Sequence, residues 1–170
     1  MNLKEYIRDI PDFPTKGILF RDITPLLKNP SAFNYAIDQM VESVSRYKPT
    51  AICAIESRGF LFATPIALKM NLPFVPVRKP GKLPYESVTV EYSLEYGSGK
   101  LEMHGDALSS KDSVVIIDDL LATGGTAKGA ALLCEKVGAK VVGYEFGIEL
   151  SFLNGRNHLE PLPVNALIAY

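Results

Sequence analysis

Two adjacent carboxylates, Asp118 and Asp119, close an apolar run, Val114-Val115-Ile116-Ile117, and a loop crowded with small polar residues follows, Ala122-Thr123-Gly124-Gly125-Thr126. A helical pattern then begins at Ala127. In that order the residues read as a buried strand, a tight turn and a helix start. Backbone N–H groups at a helix start, with glycines that allow close approach, form a cradle for an anion. The Thr123 and Thr126 hydroxyls add donors. The acids just ahead can hold sugar hydroxyls, directly or through a metal ion. The chemistry this suits is binding of a phosphorylated sugar. An ordinary strand-to-helix turn would explain the glycines and threonines but not two acids at the end of a buried strand.

Other polar clusters sit at comparable places. Glu56-Ser57-Arg58-Gly59 follows the apolar stretch Ala51–Ile55. Arg78-Lys79-Pro80-Gly81-Lys82 follows Phe74–Val77 and holds three cations in five residues. The first could be a salt-bridged loop and the second a solvated basic loop, or each a grip on a polyanion, with Arg able to contact phosphate bidentately and Lys acting as a point charge. Ser93-Leu94-Glu95-Tyr96-Gly97 falls in the turn of an alternating hairpin pattern, where loops often move as lids. Phe13-Pro14-Thr15-Lys16-Gly17 reads as a turn, and residues 18–23 as an extended apolar piece. His104 and His158 have no local partner pattern and receive no role.

The elements that must position these groups follow from periodicity. Residues 2–9 carry apolar positions at helical spacing. Ser31 reads as the N-cap of a helix running to about Tyr47. Ala51–Ile55 reads as a strand buried on both faces, residues 59–70 as a helix with Pro65 tolerated only near its first turn, and Phe74–Val77 as a short strand. Residues 87–94 and 100–104 alternate as hairpin strands. Residues 113–117 form the strand before the acids, and 126–137 its helix. Lys140–Glu149 is strand-like, 151–158 a short helix, and 165–170 an edge strand. Strand and helix in alternation predict a parallel α/β sheet, whose ligands lie beyond the carboxyl ends of the strands. That rule sets Glu56-Ser57-Arg58, Arg78-Lys79 and Asp118-Asp119 along one rim.

The bulk numbers agree with this picture. A chain of 170 residues fits one domain and can bury a sizeable core without staples. A hydrophobic share of 47% with 22% charged residues is ordinary for a globular protein. The net charge of −1 gives no global field to attract nucleic acid. Cys53 and Cys134 read as small buried thiols in a reducing setting. The N-terminus lacks a signal peptide's apolar core, and no apolar run reaches membrane-spanning length. A cytoplasmic location is expected.

The stretch Asp118-Asp119-Leu120-Leu121-Ala122-Thr123-Gly124-Gly125-Thr126 resembles the phosphoribosyl-pyrophosphate motif of the type I phosphoribosyltransferases, in the form of the branch that uses adenine. The segments around Arg58, Arg78, Glu95 and Phe13–Ile23 resemble that branch in the same order. The resemblance implies an α/β fold with a central, mostly parallel sheet flanked by helices, a small N-terminal hood (1–30) and a mobile hairpin loop (78–104), all in one domain spanning 1–170. It implies transfer of a phosphoribosyl group from phosphoribosyl pyrophosphate to adenine, giving AMP and pyrophosphate, with Mg²⁺, in purine salvage and as a homodimer. It carries the 5′-phosphate to Ala122, Thr123, Gly124, Gly125 and Thr126, and the ribose to Asp118 and Asp119, near the reacting centre. Pyrophosphate falls to Glu56, Ser57, Arg58, Arg78, Lys79 and Lys82, with Tyr96 and Lys100 covering it. Glu95 assists proton transfer at the purine. Leu19, Phe20 and Arg21 read adenine, whose amine needs an acceptor and whose ring nitrogen needs a donor. A 6-oxopurine presents the opposite polarity and would leave buried groups unpaired. Magnesium is held mainly by substrate and water.

Overall fold

Apolar residues at every position of Ala51–Ile55 and of 114–117 leave those segments no solvent face, and both are fully buried in the centre of the molecule. The computed structural model describes residues 1–93 and 98–170. The chain opens with a 3₁₀ turn, Leu3–Tyr6, and the strands β1 (Arg8–Pro11) and β2 (Leu19–Asp22), which pair antiparallel. Two helices follow, α1 (Thr24–Lys28) and α2 (Pro30–Ser45), then β3 (Ala51–Ile55), α3 (Arg58–Met70) and β4 (Phe74–Val77). A hairpin comes next, β5 (Ser87–Ser93) with β6 (Ser98–His104). The chain ends with β7 (Ser113–Leu121), α4 (Gly125–Lys136), β8 (Lys140–Glu149) and β9 (Val164–Ala169).

The central sheet has the order β4-β3-β7-β8-β9, and every pairing in it is parallel. Side-chain alternation divides its faces. Ala51, Cys53 and Ile55 of β3 join Val114 and Ile116 of β7 in a core with α4 and the hairpin, whereas Ile52, Ala54, Val115 and Ile117 pack with α1, α2 and α3. The helices therefore flank the sheet on both sides, as expected. Cys53 and Cys134 are both buried, their sulfurs 3.9 Å apart across the first core.

Several local expectations are corrected. Within residues 2–9 only Leu3–Tyr6 are helical, as a 3₁₀ turn; Arg8 and Asp9 belong to β1, where Arg8 pairs with Asp22 (Nη2–Oδ2 2.6 Å) and Asp9 with Arg21 of β2. The cap of α2 is Asn29, whose Oδ1 accepts the Ala32 N–H at 3.0 Å, with Pro30 rather than Ser31 opening the helix. Pro65 lies in the interior of α3. Residues 151–158 form two 3₁₀ turns, Ser151–Leu153 and Gly155–His158. The strand carrying the acids runs on to Leu121 instead of stopping at Ile117. The antiparallel hood is joined to the C-terminus by Arg21, whose guanidinium lies 3.7 Å from the centre of the Tyr170 ring. At its base Asp22 is held down to about 2, chiefly by the Thr24 hydroxyl, with the Thr24 amide and Arg8 adding to it.

Candidate active site

The two middle strands of a parallel sheet make a crevice where their connections leave in opposite directions. Here that point lies between β3 and β7. From β3 the chain passes through α3 to β4 on one side, and from β7 through α4 to β8 on the other. The two strands also end at different heights. β3 stops at Ile55, whereas β7 continues to Leu121 with only β8 beside it. Asp118 and Asp119 therefore stand past the end of β3, in the notch that its turn leaves.

The start of α3 fills the floor of that notch. A Cβ at Gly59 would lie 2.8 Å from Asp118 Oδ1 and 3.1 Å from the Ile117 carbonyl oxygen, so helix and strand meet at a distance only glycine permits. That contact sets the preceding residue against the acids. Arg58 Nε lies 2.9 Å from Asp119 Oδ2, and Asp118 Oδ1 accepts the Asp119 amide at 2.9 Å. Asp119 is only 4% exposed. Burial, reinforced by the neighbouring carboxylate, pushes Asp118 well above the usual range. Burial pushes Asp119 up as well, and the Arg58 charge opposes it. Two adjacent acids are thus poised differently, Asp119 directly against the Arg58 cation and Asp118 feeling it more weakly.

The anion cradle is built as its sequence requires. Gly124 adopts a left-handed conformation (φ 85°) and α4 begins at Gly125, two residues before the expected Ala127. Among the described residues no side chain caps α4, and its first turn holds no acid. α3 is likewise uncapped and acid-free at its start, in contrast to α2 with its Asn29 cap. Uncapped N–H groups and the positive end of a helix favour an anion. A concavity of about 200 Å³ brings together Arg58, Asp118, Asp119, the residues 122–126 and Phe146. Its position puts an anion held by the 122–126 loop beside the acid pair.

Around this centre the other expected residues fall in distinct places. Glu56 and Ser57, joined by a cis peptide, link β3 to α3. Glu56 accepts from Arg78 Nη2 (2.9 Å) and Nε (3.2 Å) and from the Lys79 amide (2.5 Å). Burial alone would raise the Glu56 carboxyl; the Lys79 amide, Arg78 and Lys82 together bring it below the ordinary value. The Arg78 guanidinium is thereby engaged with Glu56 and the Lys82 carbonyl. Lys79 and Lys82 are exposed and make no ion pair among the described residues. Lys100 lies on β6 opposite Glu91, 3.8 Å from its carboxylate. Glu95 and Tyr96 lie outside the described residues.

In the hood, β2 pairs only with β1 among the described residues, so its other edge keeps backbone donors and acceptors available. Leu19 is 45% exposed on this strand. Phe20 meets Phe13 edge-on at 5.1 Å, and the Arg58 guanidinium lies 5.2 Å from the Phe20 ring. Arg58 thus joins the hood to the acid pair. Two further residues reach the site without a local sequence signal. Phe146 lines the concavity from β8, and His158 touches the loop from behind, its Nδ1 2.6 Å from the Thr123 carbonyl oxygen.

No group of three or more His, Cys, Asp or Glu gathers as a metal cage among the described residues. A divalent cation that takes most of its oxygens from a diphosphate and water needs only one or two carboxylates. Asp118 and Asp119 supply such a pair at the edge of the concavity.

Comparison with known proteins agrees with this geometry. The sequence model of the phosphoribosyl transferase domain matches residues 24–148. The chain is 56% identical over 170 residues to the adenine phosphoribosyltransferase of Carboxydothermus hydrogenoformans, covering 100% of both proteins. Its fold is similar to the crystal structure of adenine phosphoribosyltransferase from Thermoanaerobacter pseudethanolicus, with a TM-score of 0.96, 50% identity, and 99% and 98% of the two chains covered. The Saccharomyces cerevisiae enzyme, crystallised with D-2,5-dideoxy-2,5-imino-altritol 1,6-bisphosphate and adenine, superposes with a TM-score of 0.89 at 42% identity, with 97% and 96% covered. A cradle at the end of β7, an acid pair beside it and likeness along the whole chain converge: the chain belongs to the phosphoribosyltransferase family, in its adenine phosphoribosyltransferase branch.

Proposed function

We propose that this chain transfers the 5-phosphoribosyl group from phosphoribosyl pyrophosphate to adenine, forming AMP and pyrophosphate in purine salvage. The observation that carries the proposal is the pairing of an uncapped helix start at Gly125 with Asp118, Asp119 and Arg58 around one concavity, beneath a strand edge able to read a base. The loop 122–126 takes the 5′-phosphate, and Asp118 and Asp119 take the ribose hydroxyls. Departure of pyrophosphate builds positive charge on the ribose ring, and a carboxylate held ionised beside that ring stabilises it. Pyrophosphate lies toward the start of α3 and the basic loop, with Ser57, Arg58, Lys79 and Lys82 as its direct partners. Arg78 contributes by orienting Glu56 and the loop, or by exchanging Glu56 for phosphate when substrate arrives.

Adenine sits between the β2 edge and the sugar, against Phe20, with Leu19 and Arg21 supplying backbone groups. Glu95 moves the purine ring proton, and Tyr96 and Lys100 cover the leaving group. Where Mg²⁺ accompanies the substrate, held mainly by substrate oxygens and water, Asp118 and Asp119 are the carboxylates that would face it, and it would supply charge neutralisation for the departing pyrophosphate. The chain works as one domain, with residues 1–30 as hood and 78–104 as the catalytic hairpin segment. It acts in the cytoplasm as a homodimer, with no nucleic acid or membrane as partner. No helix among the described residues is long and apolar enough to cross a membrane.

The deciding experiment offers phosphoribosyl pyrophosphate with adenine, hypoxanthine, guanine or xanthine in turn, with and without magnesium, and measures nucleotide and pyrophosphate. AMP formation far above the other nucleotides, and dependent on magnesium, is expected. Preference for a 6-oxopurine would overturn the assignment of the hood to adenine, and no turnover with any base would overturn the transferase assignment.

A further inference from the structure

The loop that forms the anion cradle is braced from outside the site. Beyond Glu149 the chain makes its two 3₁₀ turns and returns to the sheet at Val164. The second turn, Gly155–His158, lies against residues 122–124. A Cβ at Gly124 would stand 2.5 Å from the Gly155 carbonyl oxygen, and one at Gly155 would overlap the Ala122 carbonyl oxygen, so the two segments touch backbone to backbone. The turn is itself anchored. Arg156 donates from Nε and Nη2 to the two carboxylate oxygens of Glu149, each at 2.6 Å, and from Nη1 to the Val164 carbonyl at 2.5 Å. Glu149 is 5% exposed, so this anchor lies at the ends of the sheet strands rather than in free solvent.

The remaining contact is the one with His158. A carbonyl oxygen carries no proton, so His158 Nδ1 is the donor in its 2.6 Å contact with Thr123. In a trans peptide the C=O and the following N–H point in opposite directions. Fixing the Thr123 carbonyl toward His158 therefore aims the Gly124 N–H away from it, on the side of the concavity that Gly124 lines. The left-handed Gly124 makes this loop conformationally permissive, and an external tether removes that freedom before a ligand arrives.

We propose that His158 is a positioning residue for the 5′-phosphate: braced through Arg156 and Glu149, its ring holds the Thr123 peptide so that the Gly124 amide faces the anion. The assignment rests on the transferase reading above but is read out separately. His158 is exposed, so its replacement removes a tether and leaves the core intact. In the full-length protein, His158→Ala is compared with His158→Asn, whose Nδ2 takes the place of Nδ1. Binding of ribose 5-phosphate is measured by calorimetry, beside steady-state kinetics and thermal midpoints.

Loss of one hydrogen bond predicts that His158→Ala weakens ribose 5-phosphate, and raises KM for phosphoribosyl pyrophosphate, by about fivefold. The kcat, the KM for adenine and the thermal midpoint stay near those of the parent, and His158→Asn recovers most of the loss. Equal binding by parent and His158→Ala, or no recovery by His158→Asn, overturns the proposal. A parent that binds ribose 5-phosphate without making AMP, while His158→Ala still binds it more weakly, sinks the transferase reading and leaves the brace standing.

Discussion

Replacing Arg58 with Gln tests whether its guanidinium is what keeps Asp119 ionised. Asp119 is 4% exposed, burial favours its neutral form, and Arg58 is the cation that opposes burial. The contact is 2.9 Å from Nε to Oδ2, with the Arg58 side chain 38% exposed. With charge centres about 4 Å apart, an effective dielectric between about 20 and 80 gives roughly 1–4 kcal/mol. Solvent around the guanidinium places the interaction in the lower part of that range, about 1–2 kcal/mol. Glutamine keeps a hydrogen-bond donor and removes the charge. The sign follows directly. Without the cation the carboxylate is less favoured, the Asp119 pKa rises, and the ionised form disappears at a higher pH. The acidic limb of kcat/KM for phosphoribosyl pyrophosphate should move toward neutrality. The rate also falls overall, because Arg58 faces the leaving group in the proposed reaction, but the position of the limb does not depend on amplitude. A profile lowered at every pH with its limb unmoved would refute the reasoning and leave Arg58 as a substrate contact alone.

Other outcomes follow from the same geometry. Gly59→Ala drives a Cβ toward Asp118 and the Ile117 carbonyl; overpacking of about 1–3 kcal/mol exceeds any helix-propensity gain, so the thermal midpoint should fall by several degrees with a loss of kcat, and an unchanged midpoint would mean that α3 can simply shift. Asp119→Asn should leave the fold intact and cost on the order of 10²-fold in kcat, whereas parental kinetics would remove Asp119 from the site. Glu145, fully buried and bonded to Ser43 (2.7 Å) and Asn165 (2.8 Å), is pushed up to about 7 by burial. The folded state therefore holds a proton that the unfolded chain releases, and stability falls as pH rises from about 4.5 to 7, by about 3 kcal/mol in all. Glu145→Gln keeps both hydrogen bonds and should abolish that decline in denaturant titrations at the two ends of this window; an equal decline in both proteins would exclude Glu145 as its source.

Much of the architecture is legible in the sequence because its strongest signals are local. The runs 51–55 and 114–117 are apolar on both faces, and Gly124 and Gly125 mark a place where the chain behind the acids can turn into a helix. What escapes such reading depends on distant partners. The helical spacing of residues 2–9 holds only for the 3₁₀ turn Leu3–Tyr6, and from Arg8 onward the ion pairs of Arg8 with Asp22 and Asp9 with Arg21 favour the strand. Arg78 reads as a free cation until Glu56, from the neighbouring strand end, is seen to engage it. The overrun of β7 past β3 depends on where the partner strand stops, a property of pairing rather than of either segment. His158 has meaning only once the chain has folded back onto Thr123.

The split between β3 and β7 sends α3 to one hydrophobic layer and α4 to the other. Whatever is grasped by both helix starts at once fastens two slabs that otherwise share only the sheet between them. Cargo and robustness are then linked: a compound saturating the cleft at a hundred times its dissociation constant adds about 2.7 kcal/mol against unfolding. A fragment reaching just one helix, binding less tightly, protects less at the same concentration, so a melting curve can report how much of the cleft a compound bridges.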